Sequence, residues 1–183
     1  MAGRLFTAFA KEVEQGGSWE LALTNERLFL FAFGRQTNGD NEPWTLLTNE
    51  TNYAAFVAAI RWRHEMRDYV MQVQRTWSET NQPMMAPVWL HFPGDPVCAF
   101  LATGEDNPAC WGAFMFGPDW LAKPITAYGQ TSEWVWLPSL PEGKRWVNFF
   151  SRASFGRGGL NVTVQTPVSA FPLFYIDTLA AAA

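Results

Sequence analysis

The side chains able to do chemistry in this 183-residue chain are few and scattered. His64 and His91 stand alone, with no carboxylates or thiols at metal-ligand spacing around them, and no Ser-centred elbow or phosphate-binding glycine loop occurs. No metal or cofactor is therefore expected. His91 falls in the apolar run 84–92, which reads as a buried strand with a satisfied core histidine. Cys98 and Cys110 lie twelve positions apart without Cys-x-x-Cys spacing, and only His91 is near them in sequence. They read as two buried free thiols, since a disulfide requires an oxidising compartment. Glu105-Asp106 is an acidic pair in a loop, where solvation is its expected role. Asn49-Glu50-Thr51 and Asn161-Val162-Thr163 match the N-glycosylation acceptor pattern, which matters only after secretion. Both are read as ordinary polar positions.

Composition narrows the class further. Hydrophobic residues make up 48% and charged residues 16%, the balance of a globular chain, and ten Trp with fifteen Phe are enough to furnish either a core or an interface. A net charge of -4 supplies no basic stripe, so a nucleic-acid partner is excluded. No apolar run reaches the roughly 20 residues that span a bilayer. The first residues lack the apolar centre of a secretory signal, which predicts an intracellular chain. Arg4 and Lys11 among aromatic residues are compatible with an organellar, mitochondrial complex.

The elements that would position any site follow from periodicity and punctuation. Residues 4–11 read as a strand, Gly16-Gly17 as a turn, and 20–33 as a helix capped by Ser18. A polar loop covers 37–48. Tyr53, Phe56, Val57, Ile60, Met66, Tyr69, Val70, Val73 and Trp77 recur at three- and four-residue steps, predicting one long amphipathic helix over 52–77 with a solvated charged face. Asn81-Gln82-Pro83 ends it. After the turn Pro93-Gly94-Asp95-Pro96 and an irregular stretch 98–112 come short apolar runs separated by Gly and Pro. They predict strands at 113–117, 120–125, 133–137, 145–149, 160–165 and 171–176, the pattern of a β-sandwich. The fold class is thus α+β, with a boundary near 112 between a first part, 1–112, and a β-sandwich, 113–183.

The order of those runs carries a resemblance. Phe114-Met115-Phe116-Gly117-Pro118, then Leu121-Ala122-Lys123-Pro124-Ile125, Trp136-Leu137-Pro138, Trp146, Gly158-Gly159 and Phe171-Pro172-Leu173-Phe174 resemble the β-sandwich following the catalytic barrel in family 31 glycoside hydrolases. That family includes α-glucosidases and α-xylosidases. The likeness extends upstream through Phe92-Pro93-Gly94-Asp95, Met85-Ala86-Pro87-Val88, the helix segment 63–69, Glu42-Pro43-Trp44 and Gly16-Gly17. It implies that 1–112 is the remnant of the last units of a (β/α)8 barrel, beginning near its seventh strand.

The resemblance also implies what is missing. A retaining glycosidase works with two carboxyl groups about 5 Å apart, and in this family both aspartates belong to barrel elements that would lie before Met1. Sugar-pocket positions that remain are altered: Glu14 stands for an aspartate, Gln36 and Asn38 for an arginine and a histidine, Ala86 for an arginine, and Gly112-Ala113 for Asp-Gln. The expected function is a non-catalytic, glycosidase-like accessory subunit, a pseudoenzyme held in an obligate assembly with other protein subunits. Two alternatives stand beside it: half of a split α-glycosidase completed by another chain, and a carbohydrate-binding module stacking sugars on Trp134 or Trp136.

Overall fold

A computed structural model describes residues 50–98, 110, 112–127, 129–167 and 169–178. These fall into two compact units. One comprises the chain up to Gln72 with Ile125–Thr131 and Thr166–Ala170, and the other comprises Val73–Pro124, Ser132–Gln165 and the segment from Phe171 onward.

In the first unit, helix α1 spans Glu50–Glu65, with Glu50 in its first turn and Arg63 and His64 in its last, charges that complement the helix dipole. Helix α2 follows at Arg67–Thr80, its residues from Val73 onward belonging to the second unit. The single helix expected over 52–77 is thus two helices meeting at Met66. The backbone ladder nevertheless runs through the junction, since Met66 N–H donates to Trp62 O and Val70 N–H to Met66 O, both at 2.9 Å.

The expected apolar stripe is only partly the buried one. Ala55 and Ala59, one turn apart, are 6% and 5% exposed, whereas Tyr53, Ile60 and Trp77 on the stripe are 48%, 41% and 49% exposed. Val73 on the stripe is buried as well, at 5% exposed. At the far end of α2, Asn81 adopts φ 58° and its N–H donates to Trp77 O at 2.8 Å, an αL cap in which Asn replaces the usual Gly.

The second unit is a two-sheet β structure. Strands β1 (Met85–Pro87), β2 (Phe114–Phe116), β3 (Trp120–Ala122), β5 (Lys144–Asn148) and β7 (Leu173–Thr178) form an antiparallel sheet in the order β1-β2-β3-β7-β5; β4 (Ser132–Leu137) and β6 (Leu160–Gln165) form a two-stranded sheet. Met115, Leu121, Trp146 and Phe174 from the first sheet meet Val135, Leu137 and Val162 from the second in one buried core. Facing sheets with their apolar sides together are the sandwich expected from the alternation of short apolar runs. Of the expected barrel remnant, residues 1–49 lie outside the described residues.

Three local readings are corrected. The apolar run 84–92 is not one strand: Met85–Pro87 is β1, and Val88–His91 is a single helical turn, α3, closed by Phe92 N–H donating to Val88 O at 3.0 Å. The ladder partner explains the break. Strand β2 offers three residues, pairing Met85 with Phe116 and Pro87 with Phe114, and Pro87 has no N–H to extend the pairing. His91 therefore sits on a helical turn, with its buried Nε2 lacking a hydrogen-bond partner, rather than in a strand as a satisfied histidine. Finally, β3 stops at Ala122 although apolar burial continues through Ile125, because Lys123 N–H turns to Pro172 O at 2.9 Å and Pro124 cannot donate.

One turn depends on glycine for both conformation and space. Trp146 is fully buried and its indole N–H donates to Pro138 O at 2.8 Å. Gly158 lies against that contact at φ +74°, where a Cβ would collide with the Pro138 carbonyl and come within 2.8 Å of Trp146 Cδ1. Gly158 is required by the tryptophan it covers, and Gly159, at φ +73°, by the close approach of Ser139 Oγ.

Candidate functional site

Glu14, Gln36 and Asn38, the expected remnants of a sugar pocket, lie outside the described residues, as do Glu105 and Asp106. Of the other altered pocket positions, Ala86 is buried in β1, Gly112 is exposed at φ +76° and Ala113 is buried. The polar groups gathered by the structure are different ones, and they cluster around the two tryptophans of β4.

Asp95 is the first. The residue is buried, only 8% exposed. Oδ1 accepts from Val97 N–H at 2.9 Å and Cys98 N–H at 3.0 Å, closing an Asx-type turn. The indole N–H of Trp136 donates to the same carboxylate, at 3.0 Å to Oδ1 and 3.1 Å to Oδ2. Asp95 thus ties the turn before Cys98 to β4. Burying a carboxylate is costly unless its lone pairs are satisfied, and three donors satisfy these.

That turn leads into a disulfide. Cys98 and Cys110 are bonded, with Cα atoms 5.5 Å apart, inside the span a disulfide bridges. The expectation of two free thiols is overturned. Twelve residues of separation told nothing about distance in space; the Asp95 turn on one side and the Cys110–Ala113 turn on the other bring the two backbones together.

The second cluster centres on Lys123. Its ammonium donates to Trp134 O at 2.8 Å, pairs with Glu133 Oε1 at 3.0 Å and lies 4.5 Å from the centroid of the Trp134 ring. The side chains of Lys123 and Glu133 are only 9% and 10% exposed. Glu133 Oε1 also accepts from Trp134 N–H at 3.0 Å. The ammonium braces one face of an indole whose residue remains 38% exposed. Neither Lys123 nor Glu133 stood out in the sequence; the only signal was a lysine inside an apolar, proline-flanked strand.

Strand pairing then decides which side chains share a surface. Trp134 lies opposite Thr163 and Trp136 opposite Asn161, while Val135 lies opposite Val162 with both buried. Trp134, Asn161 and Thr163 therefore share the face opposite to Val135 and Val162 and are exposed, whereas Trp136 is half-buried and packs against the core.

The remaining ionic groups are structural. Arg145 donates to Asp177 Oδ2 through Nε at 2.9 Å and an NH2 nitrogen at 2.7 Å across the β5–β7 pair. Asn148 Oδ1 caps the turn that follows, accepting from Phe150 N–H at 3.0 Å and Ser151 N–H at 2.8 Å. Burial lowers the pKa of His91 below the usual 6.5, opposed by the nearby Asp119 carboxylate. Among the described residues no group of three or more metal-ligating side chains converges, and no helix is long and apolar enough to cross a membrane. The carboxylates of Asp95, Glu133 and Asp177 accept from backbone amides, an indole, an ammonium and a guanidinium.

Comparison with known proteins bears on the whole unit. Residues 81–177 match the profile of the glycosyl hydrolase family 31 C-terminal domain. A probable glucan 1,3-alpha-glucosidase from Oryza sativa subsp. japonica is 32% identical over 133 residues, covering 73% of this chain and 13% of that protein. A xylosidase from Aspergillus niger superposes with a TM-score of 0.72 at 22% identity over 87% of this chain and 24% of its own, a likeness of fold alone. A family 31 alpha-xylosidase from a soil metagenome, solved with xylose, gives a TM-score of 0.59 at 32% identity over 81% of this chain and 20% of its own. The chain therefore spans less than a quarter of the length of each of these proteins.

Proposed function

The chain belongs to glycosyl hydrolase family 31, carrying that family's C-terminal domain at residues 81–177, and from this we propose that it is a non-catalytic, structural component of a larger glycosidase-like assembly. The observation that carries the reading is the use made of the domain's polar groups. Asp95 holds a turn and an indole, Glu133 holds a buried lysine, and Asp177 holds Arg145. No carboxylate in that set is left as a nucleophile or general acid facing a second one, the arrangement glycoside hydrolysis needs.

On this reading, α1 and α2 with Glu14, Gln36 and Asn38 represent the last units of the family's (β/α)8 barrel. The partners are other protein subunits. Support for them comes from the apolar side chains that α1 and α2 leave in solvent: Tyr53, Ile60, Met71 and Trp77 are each more than 40% exposed. Large exposed apolar groups on a helix mark surfaces that are covered in the working protein.

The names of the relatives select the assay, aryl α-glucosides and aryl α-xylosides. The purified chain is expected to release no nitrophenol above background, and a native pull-down is expected to recover a stoichiometric protein partner. Turnover by the isolated chain would sink the proposal. Turnover by the recovered complex that vanished on removing this chain would replace it with the split glycosidase.

A further inference from the structure

We propose that Asn161 carries an N-linked glycan whose innermost sugar lies over the exposed face of Trp134, and that the chain matures in an oxidising, secretory compartment. Three independent observations meet here. Asn161-Val162-Thr163 is an acceptor sequence, and strand β6 turns Val162 into the core while presenting Asn161 and Thr163 together on the exposed face. Cys98 and Cys110 are bonded, which places folding where thiols are oxidised and where the glycosylation machinery acts. An indole waits beside the acceptor.

The third point fixes the geometry. Asn161 pairs directly with Trp136, and Trp134 is its diagonal cross-strand neighbour. Such neighbours stand about 7–8 Å apart on one face, within reach of a substituent the size of a pyranose. Trp136 is already engaged, its N–H held by Asp95. Trp134 is the available platform: Lys123 supports one side of its ring, and the residue is 38% exposed. The apolar C–H face of a sugar linked to Asn161 would cover that indole and remove it from water. A glycan at Asn161 would place the chain in a secretory compartment, in contrast to the intracellular placement expected from its first residues.

The test uses the protein isolated from its native source. Digestion with trypsin releases a peptide beginning at Gly158 that contains Asn161. Treatment with peptide-N-glycosidase in heavy-oxygen water is expected to convert Asn161 to labelled aspartate, and recovery of the native peptide solely with unmodified Asn161 overturns the proposal. In the full protein secreted from a eukaryotic host, Asn161→Gln and Thr163→Ala are expected to lose the glycan's gel shift, while Thr163→Ser retains it. Loss of the shift in all three, or in none, overturns the assignment to this site. The contact itself is read by a cycle: loss of the glycan lowers the urea midpoint when Trp134 is present and leaves it unchanged in Trp134→Ala. An equal lowering in both overturns the stacking arrangement.

Discussion

Lys123 shows how a residue with no obvious sequence signal becomes central once its neighbours are known. A buried ammonium is tolerated because Glu133 neutralises it at 3.0 Å and Trp134 O accepts from it at 2.8 Å. Removing one partner leaves the other charge uncompensated, so Lys123→Met is expected to cost about 3–5 kcal/mol in urea unfolding. The double variant Lys123→Met with Glu133→Leu should recover most of that loss. Gly158→Ala tests the glycine turn: steric conflict with Trp146 and the positive φ together predict a loss of about 2 kcal/mol or more.

His91 makes a pH-dependent contribution of definite sign. Its folded pKa lies below 6.5, so the unfolded chain binds more protons as pH falls through and below that value. Stability from the neutral, buried imidazole is present in full above 6.5 and declines on the acid side. His91→Phe should flatten that decline when unfolding midpoints are compared between neutral and mildly acidic buffer. An unchanged acid slope would remove His91 from this role.

At the scale of elements, legibility depended on whether a local signal and a tertiary one agreed. The strands at 160–165 and 132–137 were legible within a residue because turn residues bound them and a six-residue ladder confirms their full length. The run 84–92 was not, because its hydrophobicity is the same for a strand as for a buried helical turn. The choice fell to the three residues that β2 can pair. Helix 52–77 was legible in extent but not in orientation: its alanines pack while some of its large apolar residues stay outside. The disulfide was beyond sequence reasoning, since pairing is a fact of space. Its loop closes about a dozen residues, and Cys98→Ser is expected to cost about 2–3 kcal/mol, read as a lower thermal midpoint that reductant reproduces in the parent protein.

For the molecule as a whole, the 183 residues in order were enough to determine the β-sandwich class and the ancestry. Spaced apolar runs punctuated by Gly and Pro encode strands and turns locally, and their order carried the likeness to the family whose C-terminal domain matches residues 81–177. A net charge of -4 offers no basic stripe. Only the tertiary structure decided which residues act together. It bonded Cys98 to Cys110, placed Asp95 against Trp136 and Lys123 against Trp134, and set Asn161 on the same exposed face as Trp134. The physical reason is range: propensity and periodicity act over a few neighbours, whereas ion pairs, disulfides and shared faces are fixed by strand register between segments far apart in the chain.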